Sequence, residues 1–433
     1  MTPLHLLSGL MLTAWVNAAV PPAAPLIQPG EVLSLERCIS VALAQDPDLR
    51  GLGYAADAAQ ARLVEDRSVL LPSASASAGY QKNEAVKTNF DDPFRNASIN
   101  TYDYKVGQVS VNQLLFDFGK RYASVQATRF LRDAARLRRD AQAVLISAEV
   151  KQAYYNLLQT KRARSLRAET VEQYRQHLAA AQTRFDAGAR PKYYVTKAET
   201  DLSSAELDLI KADKDYQVAQ AVLATAMNFI DPPPFDIVDT LDFEKYDATL
   251  DGILARATSD RQDLKGLAAQ VDSSRKSLTA ARGDLFPVFY ASAAYQFGGS
   301  RSPYTNGWNA GVNVTADLFT GLRKIGKIAE ARDLMRQTET QVESLKLQIS
   351  IDARQAFLSL QEAEKAIQTA TLSIKQAKEN LAIAEISYTT GSGTPLDVTD
   401  ATVLYSNARL NLISALYDYK IARANIEKTM GMR

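Results

Sequence analysis

The chain has 433 residues with 50 Lys or Arg against 49 Asp or Glu, a formal charge of +1. No global field therefore points to nucleic acid or to a strongly charged partner. Its one cysteine, Cys38, excludes an intrachain disulfide and a Cys-rich zinc site, and two histidines, His5 and His177, leave little material for a metalloenzyme or a catalytic triad.

Residues 1–18 read as a secretory signal peptide, with an apolar core from Leu6 to Val16 and small residues at Val16-Asn17-Ala18. That core is too short to span a bilayer, and no later apolar run reaches the ~18 residues that a helical span needs. Any membrane crossing must then use strands. Cys38 falls on the apolar side of a short helix, where it packs. Gly51-Leu-Gly53 superficially fits a dinucleotide-binding pattern, but it follows Asp46-Pro47 and opens a helix running to about Leu70. Without a preceding strand it is a chance match.

Next come two strands. Ser73–Gln81 alternates Ser with Ala, and Tyr104–Leu114 alternates with a phase slip near Gln108; the polar stretch Lys82–Thr101 lies between them. From Lys120 to Ala187 there is no Gly or Pro, which predicts a helix of roughly 100 Å. His177 lies in its middle as a solvated residue. The run stops at Gly188-Ala189-Arg190-Pro191. A shorter helix follows, with Ala198, Ala205, Ala212 and Ala219 at every seventh position and Val195, Leu202, Leu209, Tyr216 and Leu223 between them. That is a coiled-coil seam whose alanines let two helix axes approach closely.

After a linker at 229–250, containing Asp231-Pro-Pro-Pro-Phe235, the order recurs. Strands are expected at Val288–Phe297 and Trp308–Leu318 around Gly298–Gly307, then a long helix from Lys327 to Thr390. A turn at Gly391-Ser392-Gly393-Thr394-Pro395 leads to a helix with Ala401, Ala408, Ala415 and Ala422 in its seam. At an offset of 203, Phe116 matches Phe319, Gly188 matches Gly391, and Asp215-Tyr216 matches Asp418-Tyr419. The chain thus divides into residues 19–228, the linker 229–250 and residues 251–433, two copies of one unit. The fold class is mainly α with transmembrane β, a long helical coiled-coil barrel joined to a shared β-barrel.

Four strands of nine to eleven residues suit a bilayer, yet four cannot close a barrel. About eight is the practical minimum, so several chains must pool their strands. Trp308, Tyr295, Tyr80 and Phe319 near strand ends suit the membrane interface. The rival reading, a secreted structural coiled-coil protein with a small soluble sheet, is discriminated by whether the protein needs detergent. A periplasmic enzyme lacks any catalytic cluster.

The junctions Leu115-Phe116-Asp117 and Leu318-Phe319, with the tip Tyr388-Thr-Thr-Gly391-Ser-Gly-Thr-Pro-Leu-Asp397-Val-Thr-Asp400-Ala-Thr402, resemble the TolC family of outer-membrane efflux proteins along essentially the whole mature chain. The resemblance implies a homotrimer in outer-membrane lipid, with a twelve-stranded barrel continued by a periplasmic helical tunnel. It implies a passive exit duct without cofactor or metal, opened by a periplasmic adaptor and an inner-membrane transporter. A type I protein-secretion outlet shares this fold. The family's two acidic gate rings match Asp397 and Asp400, and its latch tyrosine matches Tyr388. Its latch arginine falls at Gly393, and that arginine's Thr-Asp partners fall at Tyr193 and Tyr194. The latch is expected to be absent, or rebuilt with Arg190 or Lys192. The turns Gly188–Pro191 and Gly391–Pro395 become the expected adaptor contacts.

Overall fold

The computed structural model describes residues 27–87, 98–300 and 303–433; the expected leader at 1–18 lies outside them. The elements run β1 (Val32–Leu33), α1 (Leu35–Gln45), α2 (Pro47–Ser68), β2 (Ser73–Lys87), β3 (Ser98–Phe116), α3 (Lys120–Asp186) and α4 (Tyr193–Ala226). Then follow β4 (Asp236–Ile237), α5 (Leu250–Asp260), α6 (Gln262–Gly283), β5 (Val288–Gly299), β6 (Thr305–Thr315), α7 (Arg323–Thr390) and α8 (Pro395–Thr429). The second set repeats the first, element for element. No helix among the described residues is long and apolar enough to cross a membrane.

The four long strands form one antiparallel sheet in the order β2-β3-β5-β6. They are longer than the alternation alone predicts at β2, β3 and β5, because backbone pairing continues into polar sequence: Gln81 to Lys87 pair with Tyr104 to Ser98. The last strand sits three residues earlier than expected, Thr305–Thr315 in place of Trp308–Leu318. Its ladder ends at the Val288–Thr315 pair, since the neighbouring strand begins just after Pro287, which has no N–H to offer. The phase slip at Gln108 is compositional. Pairing runs unbroken through Gln108, and the register shifts only between Leu114 and Phe116.

The long helices have 67 residues in α3 and 68 in α7, with α7 starting four residues before the expected Lys327. In the half distant from the sheet, α3 packs on α4 and α8, and α7 packs on α8. The helical layer there runs α4-α3-α8-α7. The seam of α4 behaves as its heptads demand, with Val195, Ala205, Ala219 and Leu223 buried and Ala198, Leu202, Leu209, Ala212 and Tyr216 half-buried. All four seam alanines of α8 are buried.

Midway along the bundle sits the main core. Tyr154, Leu157, Leu158, Leu223, Met227, Tyr419 and Ile426 pack there with Cys38, and β1 pairs in parallel with β4. Two buried tyrosines tie the linker down. The Tyr154 hydroxyl donates to the Val238 carbonyl at 2.7 Å, and Tyr419 donates to Glu244 at 2.7 Å while accepting from the Tyr246 N–H. Arg162 adds a fork to Asp239 with two 2.8 Å bonds. Burial pushes the Cys38 thiol up to about 12, so it stays a protonated packing group.

Candidate functional site: the sheet faces and the helical tips

Because paired residues share a face, the register sorts the sheet into two sides. One carries Ala74, Ala76 and Ala78 of β2, Val109 and Val111 of β3, Ala291, Ala293 and Tyr295 of β5, and Trp308, Ala310, Val312 and Val314 of β6. The other carries Ser73, Ser75 and Ser77, then Ser110 and Asn112, Ser292 and Gln296, and Asn309 and Asn313. Ser75 hydrogen-bonds Ser110 at 2.9 Å, and the Asn313 amide donates to Ser292 at 2.9 Å across it. The apolar side is uncovered: Trp308 is 79% exposed, Val312 66% and Val109 49%. Such a surface is a liability in water and ordinary in lipid. The outer edges of β2 and β6 pair with nothing among the described residues, and open edges cannot sit in hydrocarbon.

At the other end, α3 and α7 stop in the same way. Gly188 and Gly391 hold left-handed φ of 69° and 86°, a conformation natural to glycine. The N–H of the next residue reaches back five positions in each copy, Ala189 to Arg184 at 2.9 Å and Ser392 to Ser387 at 3.0 Å. The restarts differ. Helix α8 opens with Pro395 and a capping box: the Thr394 N–H donates to the Asp397 carboxylate at 2.7 Å, and the Asp397 N–H donates back to Thr394 Oγ1 at 3.3 Å. Helix α4 opens at Lys192 with no side-chain cap.

Asp397 and Asp400 are both exposed on the first turns of α8. The Thr394 backbone and side chain hold the Asp397 carboxyl below its usual range, so its charge is retained at neutral pH. Tyr388 packs against Ala384, Val398 and Ala401. The cation on its ring is Arg184 of α3, 4.4 Å from the centroid. Of the expected replacements, Arg190 lies instead over Tyr194 at 5.5 Å. At Gly393, where the resemblance places the latch arginine, a Cβ would be crowded, 3.0 Å from the Ser387 Cβ and 3.1 Å from its carbonyl carbon, so the α7 end would have to give by a few tenths of an ångström.

Four helix segments converge on a cavity of about 40 Å³ lined by Tyr174, His177, Lys197, Asp201, Tyr388 and Thr399, among others. Lys197 pairs with Asp201 one turn on, and the Thr399 hydroxyl donates to Asp201 at 3.2 Å, tying α8 to α4. His177 is half-buried, not solvated as its neighbours in sequence suggest, and burial holds its imidazole below 6.5. Arg184, Asp201 and Thr399 escaped the sequence reading. A four-residue spacing signals the Lys197–Asp201 pair, but nothing in the sequence brings Thr399 to a carboxylate 198 positions away.

A family model described as "Outer membrane efflux protein" matches residues 38–228 and 253–432. The outer membrane protein TolC of Vibrio cholerae is 23% identical over 403 residues, covering 89% of this chain and 88% of the relative. The proteases secretion protein PrtF of Dickeya chrysanthemi is 24% identical over 418 residues, covering 93% and 89%. In structure, the chain superposes on the Campylobacter jejuni CmeC outer membrane channel with a TM-score of 0.79 at 17% identity, over 92% of this chain and 85% of that one.

Proposed function

The chain belongs to the outer membrane efflux protein family, as a channel of the outer membrane that extends into the periplasm and is not an enzyme, and from that premise we propose that three copies make one exit duct. The observation that carries this is the sheet. Four strands with two unpaired edges and one uncovered apolar face become lipid-compatible when the β6 edge of one copy pairs with the β2 edge of the next. Three copies give a closed barrel of twelve strands, with Ser, Asn and Gln facing the lumen. The helical layer has matching ends, since α4 and α7 each have one side without a helical neighbour among the described residues. Exposed Ile210 and Val218 on α4, and Ile351, Leu358 and Leu372 on α7, lie ready to meet across that joint. Residues 19–228 and 251–433 each supply half of every layer, with 229–250 as the girdle.

The tips are the gate in this reading. Asp397 and Asp400 would place six carboxylates around the periplasmic mouth, where rings of Asp favour cations and repel anions. Tyr388 under Arg184, with Thr399 bonded to Asp201, would hold α7 and α8 against α3 and α4 in the closed state. The turns Gly188–Pro191 and Gly391–Pro395 would meet a periplasmic adaptor, and an inner-membrane transporter would supply the energy. The likeness to PrtF favours a second cargo reading, a type I protein-secretion outlet.

Planar-bilayer recording tests the gate. The parent should conduct cations preferentially and be blocked by multivalent cations from the periplasmic side. Asp397→Ala with Asp400→Ala should lose the block and keep the trimer. A double variant blocked as strongly as the parent would reduce both residues to helix-start charges.

A further inference from the structure

On the lumenal side of the sheet, Ser73 to Asn83 of β2, Tyr102 to Leu114 of β3, and all of β5 and β6 carry no charged residue. Charge appears just below it. A cavity of about 500 Å³ at the base of the strands is lined by Ser73, Asn112, Val288 and Tyr290 of that face, by Gln113 of the other face, by residues at the end of α2, and by Arg121. A second cavity of about 430 Å³ shares Arg121 and adds Lys120, Asp284 and Lys327. The two grooves flank α3, one toward α2 and one toward α6 and α7.

The cations differ in how firmly they are engaged. Lys120 is hydrogen-bonded to Asp284. Arg121 is only loosely paired, 3.8 Å from Asp117, and Lys327 makes no ion pair among the described residues. Their position is also unusual for this chain. Helices α1, α2, α5, α6 and α8 each have an acid in the first turn, whereas α3, α4 and α7 have none. Basic pairs stand there in both copies, Lys120-Arg121 and Arg323-Lys324, where the helix dipole disfavours cations.

We propose that Arg121 and Lys327 form a cationic collar where the helical tunnel meets the barrel, a subsite for carboxylate or phosphate groups of the cargo. This rests on the trimer reading, which turns two cations per copy into a ring of six. The collar lies at the opposite end of α3 and α7 from the mouth acids, roughly 100 Å away at helical rise. With a screening length of about 8–10 Å in physiological salt, the two rings act independently. The mouth admits and the collar sorts: an anionic group passing the collar finds complementary charge, then enters a neutral polar barrel.

The test is bilayer recording of the purified trimer, with inorganic triphosphate added from the barrel side as the probe. Triphosphate should block the parent. Arg121→Gln with Lys327→Gln should weaken that block at least about tenfold, the low end of what one-signed clefts do to local ion concentration, and shift the reversal potential toward stronger cation selectivity. Lys327→Cys offers a second route without refolding, because the native Cys38 is fully buried and will not react. A positively charged thiosulfonate reagent should preserve block, and a negatively charged one should abolish it. Unchanged block and unchanged reversal potential in both series would overturn the collar. Absence of any channel from the parent would overturn the trimer reading, and the collar with it.

Discussion

The two tips of the chain show what duplication preserves and what it lets go. Both long helices end on a left-handed glycine with the same backward hydrogen bond. The helices that follow begin differently, because the residues at the 203 offset have diverged: Thr394 stands where the first copy has Pro191, Asp397 where it has Tyr194, and Asp400 where it has Lys197. The second tip is therefore capped, anionic and well anchored. The first is uncapped, with Arg190 over Tyr194 and Tyr194 edge-on to Tyr193. The shared stop is a backbone requirement, which neither copy can change cheaply. The start of the next helix is a side-chain matter, and there the second copy alone has acquired the acids Asp397 and Asp400.

Substituting the glycines challenges the shared half of that comparison. Gly188→Ala and Gly391→Ala should each destabilise their own tip by about 1–2 kcal/mol, the usual penalty for a left-handed side chain. Hydrogen exchange at the tip amides reports this locally, and equal losses at both tips are expected. A loss at only one tip would mean that the two turns are not equivalent.

The caps sharpen the unequal half. Thr394→Ala should loosen the start of α8 by about 1 kcal/mol. Pro191→Ala, its counterpart, should stay within about 0.5 kcal/mol because it removes no cap. Equal effects would contradict the divergence seen here.

Smaller again is the contact between the two repeats of one chain. Arg184→Gln should remove roughly 0.5–1 kcal/mol of ring contact with Tyr388 and raise spontaneous opening in bilayers. His177 adds a pH dependence to the same joint, facing Tyr174 on its own helix, Lys197 and Asp201 on α4, and Glu385 and Tyr388 on α7. Since burial holds its folded value below 6.5, a loosened tip takes up a proton that the packed tip refuses. Packing therefore loses stability as pH falls through 6.5 toward that lowered value. Opening should rise between about pH 7 and pH 5, and His177→Gln should flatten the rise. A profile unchanged in the variant would remove His177 from the joint.

Much of this architecture is legible along the chain, because it is written in local rules. The alternation around Trp308, the seven-residue alanines of α4 and α8, and the glycines at 188 and 391 each follow from backbone geometry. The polar ends of β2 and β3 were not legible, since strand pairing there rests on backbone groups and leaves no apolar pattern. Nor was the partner of Tyr388. Arg184 sits six residues before the expected Arg190, and only the packing of α3 beside α7 and α8 selects it. The bond from Thr399 to Asp201 likewise depends on how α8 crosses to α4, which no spacing encodes.

The central claim is that one sheet of four strands is a third of a closed barrel. Light scattering and circular dichroism on the detergent-extracted protein test it together. A trimer that keeps its strand signal, and loses it when driven to monomer, is the predicted result. A monodisperse monomer that retains the full strand signal would show that the open edges of β2 and β6 need no neighbour, and would contradict the account.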